Sequence, residues 1–290
     1  MKKSRKLATL GICSALFLGL AACQQQHAIS EGTNQRQSSS AKVPWKASYT
    51  NLNNQVSTEE VKSLLSAHLD PNSVDTFFNL VNDYNTIVGS TGLSGDFTSF
   101  THTEYDVEKI SHLWNQKKGD FVGTNCRINS YCLLKNSVTI PKLEKNDQLL
   151  FLDNDAIDKG KVFDSQDKEE FDILFSRVPT ESTTDVKVHA EKMEAFFSQF
   201  QFNEKARMLS VVLHDNLDGE YLFVGHVGVL VPADDGFLFV EKLTFEEPYQ
   251  AIKFASKEDC YKYLGTKYAD YTGEGLAKPF IMDNDKWVKL

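Results

Sequence analysis

Cys126, His226 and Glu241 are residues of the right types, in the right local settings, for thiol-based nucleophilic chemistry. A cysteine attacks as its thiolate, and a thiolate is favoured where backbone N–H groups and the helix dipole converge at a helix N-terminus. Thr124 or Asn125 is a natural N-cap for the apolar-periodic run 127–134, which places Cys126 in the first helical turn. The thiolate then needs an imidazole to hold the ion pair and protonate the leaving group, and a third polar group to orient the ring. His226 lies in Val224-Gly-His-Val-Gly-Val-Leu-Val231, where alternation predicts Val224, His226, Gly228 and Leu230 on one face of a strand. Gly225 and Gly228 are expected to leave room beside the ring. Glu241 lies on the next expected strand, and a hairpin turn near 232–236 brings it beside His226 in a plausible register.

Residues around this set are candidates for substrate contact. Asn125 and Arg127 flank the thiol and, with Asn129, could bind a substrate carboxylate or form an anion site. Gln250 could rim a cleft or serve as an alternative orienting residue. Each has a plainer reading. Cys126 is then a buried packing residue, His226 a satisfied core histidine, and Arg127 and Asn129 ordinary helix surface. Glu241 then pairs with Lys242, Lys253 or Arg127 on a solvated face. Cys132, six positions along the same helix, faces elsewhere and reads as structural; Cys260 reads as core or disulfide. His27, His68, His102, His112, His189 and His214 show no His-x-x-x-His spacing, so no metal site and no cofactor is expected.

The elements that must carry these residues follow from periodicity. Ser57-Thr58-Glu59-Glu60 has the capping-box arrangement before Val61, Leu64, Leu65 and Leu69 at helical spacing. Asp70-Pro71 opens a second helix with Val74, Phe77, Phe78, Val81 and Tyr84 on one face. Helices are also predicted over 106–117, 169–175 and 186–200. After Lys205 the pattern changes to strands over 208–213, 221–231 and 237–243, split by Asp-Gly turn signals. A strand over 249–254, a helix over 257–268 and a last strand over 280–288 complete the chain. Helices first and an antiparallel sheet second predict an α+β domain.

The N-terminus has its own logic. Lys2, Lys3, Arg5 and Lys6 precede an uncharged apolar run over 7–22, shorter than the ~20 residues of a spanning helix. The run ends in Leu20-Ala21-Ala22-Cys23, which resembles the lipobox of bacterial lipoproteins. That resemblance implies a signal peptide over 1–22, cleavage before Cys23, a diacylglyceryl thioether on Cys23 and a protein anchored to the bilayer on the extracytoplasmic face of the cell membrane. Acyl chains contribute about 0.8 kcal/mol per buried methylene, and two or three suffice for stable anchoring. Residues 23–45, rich in Gln, Ser and Asn, read as a flexible tether, leaving 46–290 as a single domain. Losing the signal's four positive charges takes the formal balance of −9 to −13, which argues against nucleic acid as a partner. A monomer is expected. Of the five cysteines, Cys13 leaves with the signal and Cys23 is lipidated. Cys126, Cys132 and Cys260 remain, either as one disulfide and a free thiol or as three free thiols.

Cys126 at a helix start, and His226 in His-Val-Gly-Val followed by a strand with a polar residue, resemble the NlpC-type branch of papain-like cysteine peptidases and amidases. The resemblance covers 122–134 and 220–243. It implies a papain-like core with Cys126 as nucleophile, His226 as its base and Glu241 orienting the ring. The sequence departs from that branch at Asn125-Cys126-Arg127-Ile128, where Asp-Cys-Ser/Thr-Gly is usual, and in Glu241, where His, Asn or Gln is common. The hundred residues between Cys126 and His226 also exceed the usual spacing, so helices must be inserted there. The mature sequence as a whole resembles an uncharacterised family of Gram-positive lipoproteins with a domain of unknown function. Two functions are therefore expected to compete: a cysteine hydrolase acting on an amide or ester, and a non-catalytic envelope lipoprotein that binds a ligand or protein partner. A transporter's substrate-binding lipoprotein fits poorly, because the strands gather near the C-terminus.

Overall fold

Short polar side chains decide where the helices begin. The computed structural model describes residues 46–100 and 103–290; the expected signal, Cys23 and the tether lie outside the described residues. Helices run over α1 (Gln55–Ser66), α2 (Pro71–Val88), α3 (Val107–Lys118), α4 (Cys126–Leu134), α5 (Phe151–Gly160), α6 (Ser165–Leu174), α7 (Val186–Phe197) and α8 (Lys257–Lys267). Asn54, Asp70, Asp106, Asn125, Asp164, Asp185 and Ser256 each accept a backbone N–H two or three residues ahead, satisfying donors that a helix start leaves open. The first helix begins at Asn54, not at the Ser57 capping box, because the Asn54 carboxamide accepts from the Ser57 N–H at 2.9 Å. Helix α5 was not foreseen; it has no side-chain cap and continues from a 3₁₀ turn at Gln148–Leu150.

The strands are β1 (Ala47–Thr50), β2 (Thr98–Ser99), β3 (Val138–Thr139), β4 (Val178–Pro179), β5 (Gln201–Phe202), β6 (Arg207–Asp215), β7 (Tyr221–Ala233), β8 (Gly236–Lys242), β9 (Tyr249–Phe254), β10 (Phe280–Asp283) and β11 (Lys286–Val288). Antiparallel pairing orders the main sheet β11-β10-β6-β7-β8-β9-β1-β2, with β4 against β7, while β3 and β5 form a separate pair. The class is α+β, as expected, with seven of the eight described helices ahead of β6. The sheet is not confined to the C-terminal half, however: β1 and β2 extend it beyond β9. The last expected strand is a hairpin, turned at Asn284 with φ 54°.

Both faces of the sheet are covered. Val212, Val224, Val227, Val229, Val231, Leu238, Val240 and Ala251 pack with buried residues of α1 to α7. Leu209, Val211, Leu230, Phe239, Ile252 and Phe254 pack with Cys260, Tyr261, Tyr263 and Leu264 of α8. Such two-sided burial, worth about 1.5–3 kcal/mol for each fully buried Val, Leu or Phe side chain, is why β6 to β9 read as near-continuous apolar runs.

One irregularity matters for the site. Val211 pairs with His226 but Val212 pairs with Val224, so Gly225 is the extra residue of a bulge. The bulge resets the alternation of β7. Val224 faces α1 to α7, whereas His226 is on the opposite side with Val211, correcting the expectation that the two share a face. The glycines do not make room for the imidazole either. A Cβ on Gly225 would lie 2.3 Å from Leu213 Cδ1, and one on Gly228 would lie 2.3 Å from Phe239 Cζ.

Candidate active site

Cys126 sits where the sequence puts it, at the first residue of α4. The turn before it depends on Gly123, whose φ of +88° and closeness to the Trp114 ring (3.2 Å from an added Cβ) both disfavour a side chain. Asn125 is the N-cap and accepts from the Ile128 N–H at 3.1 Å. Its amide group donates to Asp153 Oδ1 at 2.8 Å. Arg127 donates to the same carboxylate through Nε and an Nη atom, at 2.9 and 2.7 Å, and through its other Nη to the Val224 carbonyl at 3.0 Å. Ser130 donates to the Val227 carbonyl at 3.2 Å. The thiol-bearing helix is thus bonded to β7 on both sides of His226.

His226 and Glu241 are almost solvent-free, each 1 % exposed, and Cys126 is 6 % exposed. The His226 Nε2–H meets Glu241 Oε2 at 2.5 Å, which leaves Nδ1 as the nitrogen for the thiol. Tyr268 stacks on the imidazole, with ring centroids 4.9 Å apart and planes 23° apart. The second oxygen of Glu241 accepts from the Tyr263 hydroxyl and lies 3.6 Å from Lys267 Nζ. The register of β8 and β9 sets Gln250 opposite Glu241, and its amide donates to the Tyr105 hydroxyl at 2.6 Å.

The electrostatics distinguish the three thiols. Burial pushes the Cys126 thiol up, but the charge and hydrogen bond of His226, with Arg127 behind them, outweigh it and hold the thiol below its ordinary value. Burial would lower His226, yet its partners Cys126 and Glu241 raise it to about 9. Burial would raise Glu241, yet Lys267 and His226 bring it down to about 2. All three shifts favour the ionised forms, which is the pattern of an ion-paired nucleophile. Burial instead raises Cys132 to about 12 and Cys260 far above the usual thiol range. All three cysteines are free and buried. Cys132 packs among the helices and Cys260 on the other face of the sheet, so they form no disulfide.

A family model described as a domain of unknown function (DUF4300) matches residues 48–288. The chain belongs to the DUF4300 family. No curated protein and no solved structure matches it.

In this DUF4300 chain, the structure brings Cys126, His226 and Glu241 together. The plainer partners for Glu241 fall away: Lys253 pairs with Glu60, Arg127 with Asp153, and the Lys242 ammonium donates to the carbonyls of Thr244, Phe245 and Glu247. Asn125 and Arg127 are engaged with Asp153, so their evident work is to fix the start of α4. Gln250 is one strand beyond Glu241 and two from the strand of the imidazole. Sequence reasoning missed Asp153, Tyr263, Lys267 and Tyr268. Asp153 stands in an uncapped helix with no motif, and the α8 residues reach the site only because that helix packs on the far face of the sheet.

Proposed function

We propose that this protein is a cysteine hydrolase with a papain-like core, exported and held on the outer face of the cell membrane by a lipidated Cys23. The observation that carries the reading is the buried Cys126–His226–Glu241 line, with its charges arranged to favour thiolate and imidazolium together. The thiolate of Cys126 attacks an amide or ester carbonyl, forming a carbon–sulfur bond and a tetrahedral oxyanion. The backbone N–H of Cys126, at the first turn of α4, donates to that oxygen. The proton on His226 passes to the leaving amine or alcohol as the bond to it breaks, giving a thioester. Water, deprotonated by the neutral imidazole, then attacks the thioester and releases the acid and the thiolate. Glu241 keeps the ring in the tautomer that presents Nδ1 to sulfur. The substrate class is a peptide, a cell-wall amide or a lipid-like ester. The Leu20-Ala21-Ala22-Cys23 sequence supports the anchoring. Among the described residues no helix is long and apolar enough to cross a membrane.

One observation favours a second reading, a non-catalytic envelope lipoprotein that binds a ligand or partner: Cys126, His226 and Glu241 are all nearly closed to solvent. The two readings separate in an alkylation titration. Iodoacetamide labelling of the purified protein across pH, mapped by mass spectrometry, should modify Cys126 with an apparent pKa well below the ~8.5 of a free thiol. His226→Ala should abolish that depression. A Cys126 that stays unlabelled, or titrates normally whether or not His226 is present, leaves the binding lipoprotein.

A further inference from the structure

We infer that Tyr263 and Lys267, one turn apart on α8, are positioning residues for the Cys126–His226 pair, holding the Glu241 carboxylate ionised and aimed at the imidazole. The inference rests on the hydrolase reading and extends its machinery to a helix on the far face of the sheet. Glu241 has a fully buried side chain, and its two oxygens are divided between two elements. Oε2 takes the imidazole of β7; Oε1 takes the Tyr263 hydroxyl and faces the Lys267 ammonium at 3.6 Å. Lys267 also donates to the Tyr263 oxygen at 2.9 Å, so the cation, the phenol and the carboxylate close a triangle. The i, i+4 spacing places both side chains on the same helix face. Lys267 is 29 % exposed, which lets its ammonium keep part of its hydration while it serves a carboxylate that has none.

Charge balance gives the arrangement its purpose. With thiolate, imidazolium, carboxylate and ammonium all present, the buried set is neutral. Without Lys267 the same set carries a net negative charge in a low-dielectric interior, and proton uptake that quenches the thiolate becomes the relief. The other titratable groups facing this set are Arg127 and Asp153, which pair with each other and cancel, Lys242 of β8, Cys260 of α8, Tyr268 just beyond it and Tyr105 ahead of α3. Burial raises Cys260, Tyr268 and Tyr105, so in the neutral range they add no charge, and burial brings Lys242 down to about 7, so it is only partly charged there.

The test is the pH–rate profile for iodoacetamide labelling of Cys126 in the full chain, with a thermal melt to confirm folding. Removing an opposite charge at this range shifts a titration by about 1–3 units. Lys267→Met should therefore move the acid limb upward by about one unit, slowing labelling about tenfold on that limb while the alkaline plateau holds. Lys267→Arg should restore the wild-type limb. Tyr263→Phe keeps the ring, should shift the limb in the same direction by less, and carries the test if Lys267→Met does not fold. A reactive wild-type Cys126 whose acid limb is unmoved in both variants overturns the role of α8 and leaves the nucleophile standing. A wild-type Cys126 that is unreactive, or titrates as an ordinary thiol, takes down the hydrolase reading and this inference with it.

Discussion

Arg127 reaches from the first turn of α4 to the carbonyl of Val224, two residues ahead of His226, at 3.0 Å. The same guanidinium is clamped on both oxygens of Asp153, at 2.9 and 2.7 Å. The strand bulge at Gly225 and the thiol-bearing helix are therefore fixed to each other by one planar group, and Asp153 fixes that group. Removing either partner of a buried pair leaves an uncompensated charge.

Asp153→Ala should accordingly cost on the order of 3–5 kcal/mol, because the Arg127 guanidinium and the Asn125 amide lose their acceptor together. Urea unfolding at neutral pH measures this. A loss under 1 kcal/mol would show that the clamp is not what holds α4 against β7.

The ionised pair should make stability depend on pH at both ends. His226 is raised from 6.5 to about 9, so its contribution is complete below pH 6.5 and is lost as pH rises through 9. Glu241 is lowered from 4.5 to about 2, so its contribution is complete above pH 4.5 and is lost as pH falls toward 2. Urea midpoints measured from pH 3 to 10 should fall at both limits. In Cys126→Ala the alkaline loss should begin at lower pH, since the thiolate that raises His226 is gone.

Lys242 is a buried amine, brought down to about 7 by burial, whose Nζ donates to the carbonyls of Thr244, Phe245 and Glu247 and lies 4.2 Å above the Tyr84 ring. Lys242→Met keeps the length of the chain and leaves those carbonyls without their donor. An unsatisfied buried acceptor costs about 1–3 kcal/mol, and these carbonyls are part-buried, so the variant should be destabilised by up to about that amount. Hydrogen exchange should show faster opening of 244–247, and protection equal to wild type there would reject this role.

His189 and His214 face each other with ring centroids 4.4 Å apart. His189 Nδ1 meets the Thr180 hydroxyl at 2.7 Å, and its Nε2–H donates to the Thr183 carbonyl at 2.7 Å. Burial, joined by the charge of His214, holds His189 below its ordinary value. The unfolded chain therefore binds a proton near pH 6.5 that the folded chain resists, and stability falls as pH drops below that point. His189→Gln should flatten this acid slope in thermal melts from pH 7 to 5; an unchanged slope would place the acid sensitivity elsewhere.

Much of this architecture was legible because it is written in local chemistry. Asp70 ahead of Pro71, and Asn125 ahead of Cys126, name their helix starts by side-chain hydrogen bonding to nearby N–H groups. The apolar runs of β6 to β9 and the Asp-Gly turns between them define the hairpins, and β9 lies at 249–254 as read. Cys126, His226 and Glu241 could be picked out because a helix-start thiol and an in-strand histidine followed by an acid are patterns short enough to see.

What no local pattern contains is the coming together of segments far apart in the chain. The bulge at Gly225 depends on the packing of Leu213 and on pairing with β6, so alternation alone put Val224 and His226 on one face. Asp153 becomes a clamp because α5 docks beside α4, and Tyr263, Lys267 and Tyr268 reach Glu241 and His226 because α8 covers the opposite side of the sheet. By itself the sequence determined most of the longer elements, the starts of α2 and α4 and the residues able to do chemistry, since each depends on neighbours within a few positions. The tertiary structure alone decided which partners hold those residues and which way burial and charge shift them, because these depend on contacts fifteen or more positions apart.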